Sequence, residues 1–400
     1  MTPAMGFLST TVREYRHKLM HDTMDRVGLD ALAFTTADFF QFATNFSTDV
    51  LTWERPIACV VPRNGSPFAV LNELSTNHWR FGAEAQKLWV SDVQFYAEHP
   101  RVTERLPVAS QWPELVAERL KQAGLGRARI GVDAGGGPFA KAVALLPAAK
   151  LEVATSECRQ LRWVKHEEEI ALMRRIAGLT DWVQDQYREA IRPGRLLMEM
   201  DMAMAALLAE EAARRFPGDH LEIMRCWTLS GPASAAPHGD GRSSGARISK
   251  GDGLVNIVIP RINGLVVENE RTWFCGKPSE RQRHLFETAR AATEAATDAA
   301  VTGNPVHAID AAAQAVIEKA GCAHLMLHRT GHGMGTLGHE FPEDMAFNSR
   351  PLLANEVYSA EPGLYEWGLG GFRHDDTVVV GASPEVLTRA PRDLRSQTID

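Results

Sequence analysis

Between residues 328 and 376 this chain crowds histidine, carboxylate and glycine into three short blocks, and its fold has to answer to them. The first is His328-Arg329-Thr330-Gly331-His332-Gly333-Met334-Gly335, running on through Thr336-Leu337-Gly338 to His339. The second is Ala360-Glu361-Pro362-Gly363-Leu364-Tyr365, and the third is Gly371-Phe372-Arg373-His374-Asp375-Asp376. A lone histidine or carboxylate is common on any surface. Three separated blocks in one order are far more specific, and they single out His332, Glu361 and Asp375.

At 400 residues the chain exceeds one ordinary core, so two domains are expected. The balance of 43 basic and 50 acidic residues, net −7, argues against nucleic acid or an anionic membrane as a partner. No apolar run reaches membrane-spanning length, and the N-terminus lacks a basic stretch followed by an apolar one. The five cysteines, Cys59, Cys158, Cys226, Cys275 and Cys322, are scattered and form no CxxC pair. They read as buried thiols of a reduced, cytoplasmic chain.

Periodicity predicts an opening helix over 12–27 closed by Gly28, a strand over 29–35 and a short helix over 38–44. Paired strands at 57–61 and 68–71 are expected around the Asn64-Gly65 turn, with another strand at 128–133. This alternation makes residues 1–160 an α/β domain. Beyond it, a long helix begins with the acidic turn Glu167-Glu168-Glu169, which suits a helix N-terminus. Further helices are predicted over 196–216 and 280–301, and strands over 254–260, 264–269, 357–359 and 376–380. Trp53, Trp273 and Trp367 are assigned to core or rim.

Together the three blocks resemble the C-terminal half of the creatinase/prolidase/aminopeptidase P family, the "pita-bread" hydrolases. The resemblance covers nearly the whole chain and is strongest over 162–380. It implies an α+β chain: a creatinase-like α/β domain over 1–160, then a pita-bread catalytic domain over 161–400. It also implies a homodimer with a shared active site. Metal-dependent members hold two ions with two aspartates, a histidine and two glutamates. By that resemblance Glu268, after the Asn263-Gly264 turn, stands at the second aspartate, His332 at the histidine, Glu361 at the first glutamate and Asp375 at the second. Ile257, eleven residues before Glu268, stands at the first aspartate and can coordinate nothing.

Creatinase, a member that works without metal, is similar in wording at Asn269-Glu270-Arg271-Thr272-Trp273-Phe274 and at Gly335-Thr336-Leu337-Gly338-His339. That comparison places Glu270 as a substrate-binding glutamate, His238 as the catalytic histidine and Arg55 as an arginine gripping the substrate carboxylate across a dimer interface. Where creatinase supplies a second such arginine this chain has Glu343 beside Asp344, so creatine itself is a poor fit. Hydrolysis of a C–N bond needs an activated water and a proton for the departing nitrogen. A histidine titrates near neutrality and can shuttle that proton, which is the role expected of His238. Glu361 and Glu270 can grip an amidinium or ammonium, with His328 and His339 orienting substrate or water.

The main expectation is therefore a creatinase-like hydrolase of a C–N bond in a small amidine-, guanidino- or amide-bearing amino-acid derivative. Its catalytic set is His238, Glu270, His328, His332, His339 and Glu361, with Arg55 and Glu268 binding substrate. No cofactor is favoured; the alternative is one manganese or zinc ion on Glu268, His332, Glu361 and Asp375. Two rival functions stay open: a mononuclear metal-dependent Xaa-Pro peptidase of prolidase or aminopeptidase P type, and a non-catalytic binding protein on the same fold.

Overall fold

Ser9 opens the first helix by accepting a hydrogen bond from the Thr11 backbone N–H, and Gly28, at φ 71°, closes it in the left-handed region. The computed structural model describes residues 8–48, 50–97, 108–239, 245–340 and 345–399. They form two compact units that divide between Arg162 and Trp163.

The N-terminal unit runs α1 (Thr10–Val27), β1 (Ala31–Phe34), α2 (Ala37–Thr44), β2 (Ala58–Pro62), β3 (Phe68–Asn72), α3 (Thr76–Glu84), β4 (Asp92–Tyr96), α4 (Val108–Gln122), β5 (Arg129–Val132), α5 (Gly137–Ala144), β6 (Lys150–Val153) and α6 (Thr155–Gln160). Its six-stranded sheet has the order β4-β3-β2-β1-β5-β6. The expected β2–β3 hairpin forms in antiparallel register, with Gly65 at φ 112° in its turn. Successive β1 residues serve opposite cores: Ala31 and Ala33 pack with Trp112 and Phe139, whereas Leu32 and Phe34 pack with Met20 and Phe40. Helices on both faces explain why β1, β2 and β3 are apolar without alternation.

The C-terminal unit holds α7 (Glu167–Ala190), α8 (Leu197–Arg215), β7 (Leu221–Ser230), β8 (Gly253–Ile262), β9 (Leu265–Val266), β10 (Asn269–Cys275), α9 (Glu280–Ala299), α10 (His307–Lys319), β11 (Val357–Ala360), β12 (Gly363–Glu366), β13 (Gly370–Arg373), β14 (Asp375–Val379), β15 (Glu385–Val386) and β16 (Thr398–Ile399). An eight-stranded sheet has the main order β11-β14-β10-β8-β7, with β15, β16 and β9 added to its strands. Helix α7 starts with a capping box in which His166 accepts from Glu168 N–H and Glu169 accepts from His166 N–H. Gln184 of α7 then reaches down to the sheet, donating to the carbonyls of Asn256 and Asn269 and accepting from Trp273 Nε1. Trp273 is thus core, while Trp53 and Trp367 are exposed.

The α+β class agrees with the sequence reading. The strand expected over 264–269 does not form as one piece: β9 spans two residues and the long strand is β10. The reason is burial, because β10 is covered along its whole length and pairs with β8, β14 and β16. Strand β7 and helix α10 were not anticipated. As the end of the main strand order, β7 mixes exposed and buried positions and shows no clean alternation. All five cysteines are buried and unpaired. Among the described residues no helix is long and apolar enough to cross a membrane.

Candidate active site

Strand register assembles the site. Trp227 of β7 stands opposite Ile257 of β8, Ile257 opposite Glu270 of β10, and Glu270 opposite Asp375 of β14. Directly opposed residues share a sheet face, so these four side chains form one row across it. Glu268, just before β10, lines the same cleft of about 520 Å³ together with Ile257, Ile259, Leu337, Glu361 and Arg373.

The first histidine block is laid along β11. His332 O accepts from Ser359 N–H, Thr330 O from Glu361 N–H, and Val357 O from Met334 N–H. Gly331 is required there, since a Cβ would lie 1.9 Å from the Ser359 carbonyl oxygen. The loop beyond is held by Glu340, which accepts from Thr336 N–H and Oγ1 and from Leu337 N–H, and which pairs with buried Lys165 at 3.3 Å. Gly338 leaves room for Glu268, whose Oε1 would sit 2.7 Å from an added Cβ.

These constraints converge on His332. Its Nδ1 faces the Gly333 carbonyl oxygen at 3.0 Å and so carries the hydrogen, which leaves the Nε2 lone pair free in the neutral ring. That Nε2 is buried without a hydrogen-bond partner, 3.5 Å from Glu268 Oε2 and 3.5 Å from Glu361 Oε1. Asp375 Oδ1 accepts from Ser359 Oγ at 2.8 Å, and its Oδ2 is likewise buried and unpartnered. Bonds of about 2.0–2.2 Å place adjacent donors of one ion roughly 3–3.5 Å apart. The His332–Glu268 and His332–Glu361 separations suit donors of one hard or borderline divalent ion, and Asp375 clusters with Glu361 and Glu270 beside them. The four donors are the alternative set named from the sequence.

The electrostatics agree. Burial, followed by repulsion from Glu268, Glu270 and Glu361, pushes the Asp375 carboxyl well above the usual range. Burial also opposes charge on Glu361, but the closeness of His332, and then the attraction of Arg373, hold it at about 2. Burial disfavours a charged His332, yet Glu268 and Glu361 outweigh it and raise its pKa well above the ordinary value. A self-repelling acidic cluster of this kind is stabilised by a cation.

The other sequence-predicted residues are distributed unevenly. His339 stacks on His332, ring centroids 3.8 Å apart, and its Nδ1 accepts from Arg329 at 3.3 Å. Its Nε2 then carries the proton and donates rather than ligates. His238 is exposed on the cleft rim, anchored through the Pro237 carbonyl, which accepts from Arg373 at 3.2 Å. His328 is committed elsewhere: its Nδ1 donates to Arg329 O and its Nε2 accepts from Tyr365 Oη, each at 2.7 Å. Burial lowers its pKa and keeps it neutral. Glu270 is engaged on both oxygens by Arg373, so it is not a free carboxylate awaiting a cationic substrate. Arg55 belongs to the N-terminal unit, where it pairs with Glu54 at 2.6 Å. Glu343 and Asp344 lie outside the described residues.

Sequence reading passed over several residues. Arg373 and Tyr365 stand inside the quoted blocks, and their neighbourhood was the available signal. Arg271, fully buried, donates to the carbonyls of Glu270, Asp375 and Ala390 and pairs with Asp376 at 2.8 Å, clamping β10 to β14 behind the site. At the mouth Arg225 stacks over Trp227, 5.4 Å from the ring centroid. A bulge at Met224 brings Arg225 opposite Ile259, on the cleft face.

Residues 171–382 match the family described as "Metallopeptidase family M24". The "Probable dipeptidase PepE" of Mycobacterium tuberculosis (strain ATCC 25618 / H37Rv) is 30% identical over 354 residues, 86% of either chain. The "Xaa-Pro dipeptidase" of Pyrococcus furiosus is 30% identical over 237 residues, covering 59% of this chain and 66% of its own. The crystal structure of dipeptidase PepE from Mycobacterium ulcerans superposes with a TM-score of 0.80 at 27% identity, over 98% of this chain and 100% of that one.

Proposed function

This chain belongs to metallopeptidase family M24, and from that membership we propose that it is a dipeptidase-type hydrolase using one divalent ion. Hydrolysis of a C–N bond is the coarse activity; the finer reading is cleavage of the peptide bond in a small peptide. The observation that carries it is the His332 Nε2, buried, unpartnered and equidistant from two carboxylates. The dipeptidase names of the relatives support the peptidase alternative over hydrolysis of an amidine or guanidine. The retained donor set speaks against a binding module, which needs no such cluster.

When bound, manganese or zinc supplies Lewis acidity, acidifying a water and polarising the scissile carbonyl. Glu268, His332, Glu361 and Asp375 would hold it. Their own geometry is fixed by Ser359, Gly331 and the Lys165–Glu340 loop brace, so little reorganisation is left for the reaction. His339 presents an N–H at the cleft and can donate to the carbonyl oxygen as negative charge develops. His238, on the rim, takes a proton from the attacking water and returns it to the departing amine. Ile257, Ile259, Leu337 and Trp227 give apolar walls to the peptide side chains and exclude water. Arg225 takes the substrate carboxylate at the mouth. Strand β7 lies two strand spacings, roughly 10 Å, from β10, and a dipeptide spans roughly 7 Å, so both ends are reached.

The test is hydrolysis of a dipeptide panel that includes Xaa-Pro members, before and after chelation, with metal content measured in parallel. Expected is peptide cleavage lost on chelation and restored by manganese or zinc. Cleavage indifferent to chelator, with no bound ion, would return the site to metal-free acid–base chemistry centred on His238. The reading extends to a homodimer and to Arg55 as a second carboxylate-binding group. Light scattering on the purified protein tests the first, and a raised KM in Arg55→Ala tests the second.

A further inference from the structure

Strand β8 lies between β7, which carries the cation at the cleft mouth, and β10, which carries carboxylates. Arg225 of β7 stands opposite Ile259, and Trp227 stands opposite Ile257, whose other neighbour is Glu270. Residues two apart on a strand share a face, so Arg225, Trp227, Ile259 and Ile257 form one patch of the cleft floor. The Arg225 guanidinium, 5.4 Å from the Trp227 ring centroid, is held over the aromatic face. Trp227 and Ile259 in turn pack against the buried Ile257, and Leu337 lines the same cleft. The floor thus runs from a cation through hydrocarbon to carboxylates.

That order fixes what each part of a bound dipeptide meets. With its carboxylate on Arg225 above β7 and its scissile bond at the donors beyond β8, the C-terminal residue lies over β8. Neighbouring strands are roughly 4.8 Å apart, so its side chain reaches Ile257 and Ile259 directly. Neither isoleucine can donate or accept a hydrogen bond. A polar side chain placed there gives up its water for nothing, whereas an apolar one gains by leaving water. Ile257 stands where the resemblance gives metal-dependent relatives an aspartate, so the patch is this chain's own departure.

We propose that Ile257 and Ile259 are specificity-determining residues, and that the substrates are dipeptides with a free carboxylate and a bulky apolar C-terminal residue. This rests on the dipeptidase reading above and on Arg225 as the group that takes the carboxylate. Leucine and phenylalanine cover more of the patch than the small ring of proline, so they rank above it.

The experiment compares kcat/KM for Ala-Leu, Ala-Phe, Ala-Pro and Ala-Asn with manganese supplied. Leucine and asparagine are close in size and shape, so the ratio of Ala-Leu to Ala-Asn isolates apolarity. It should be roughly 10- to 100-fold, the worth of burying one leucine side chain, with Ala-Phe comparable to Ala-Leu and Ala-Pro below both. Ile257→Thr and Ile259→Thr, which put a hydroxyl on the patch, should each cut that ratio several-fold by slowing Ala-Leu. If the buried Ile257→Thr fails to fold, the half-buried Ile259→Thr decides. A ratio near one, faster cleavage of Ala-Pro than of Ala-Leu, or an undiminished ratio in the folded variants overturns the inference and leaves the dipeptidase reading standing. No cleavage of any dipeptide overturns both.

Discussion

At the scale of single residues, the proposed mechanism gives two histidines separate duties, His332 binding the ion and His238 transferring the proton. His332→Ala removes the only nitrogen among the four donors, so the protein should lose its stoichiometric ion. Turnover should fall on the order of 10³-fold or more. His238→Ala should leave metal content untouched and lower kcat by roughly 10²- to 10⁴-fold, the usual worth of general acid–base catalysis. Elemental analysis and steady-state kinetics on both variants check the division. Loss of metal in His238→Ala would place that histidine in the coordination sphere instead. The structural basis for the split is plain: His332 is fully buried between carboxylates, whereas His238 is exposed at the rim.

At the scale of elements, strand β7 and the loop after β11's histidine partner carry separate duties. The bulge at Met224 aims Arg225 into the cleft, where the described residues give it Trp227 and the Met224 carbonyl but no carboxylate. A charge-assisted hydrogen bond contributes about 1.5–3 kcal/mol. Arg225→Ala should therefore raise KM for dipeptides by roughly ten- to a hundredfold, with kcat little changed. Blocking the substrate's carboxylate as an amide should erase the difference between the two enzymes. The loop from Gly333 to Glu340 depends instead on Lys165–Glu340, both side chains buried. Breaking one half of a buried pair costs about 3–5 kcal/mol. Lys165→Met should lower stability by that order in denaturant unfolding, and adding Glu340→Gln should recover part of it.

At the scale of the whole molecule, all four proposed ion donors belong to the C-terminal unit. An ion that binds only the folded state stabilises it by about 2.7 kcal/mol at a hundredfold excess over Kd. Manganese should raise the melting temperature, and chelator should lower it. Hydrogen exchange should show the added protection in residues 163–399, concentrated in β10, β11 and β14, and little change in 8–162. Equal protection of both units would place an ion elsewhere.

Much of this protein was legible in its sequence. The three blocks pointed to His332, Glu361 and Asp375, and the family resemblance placed Glu268 after the Asn263-Gly264 turn, because such motifs are local in the chain. The apolar runs of β1, β2 and β8, the Gly28 close of α1 and the acidic first turn of α7 were legible for the same reason: each depends on residues a few positions apart. What tertiary structure decided is how the donors are balanced. Arg373 and Glu270 are 103 residues apart in sequence, and Lys165 and Glu340 are 175 apart. Whether Glu270 faces a substrate, an ion or a guanidinium depends on strand register and on which sheet face is buried. No local pattern states either, since both follow from the packing of strands that meet only after the chain has folded.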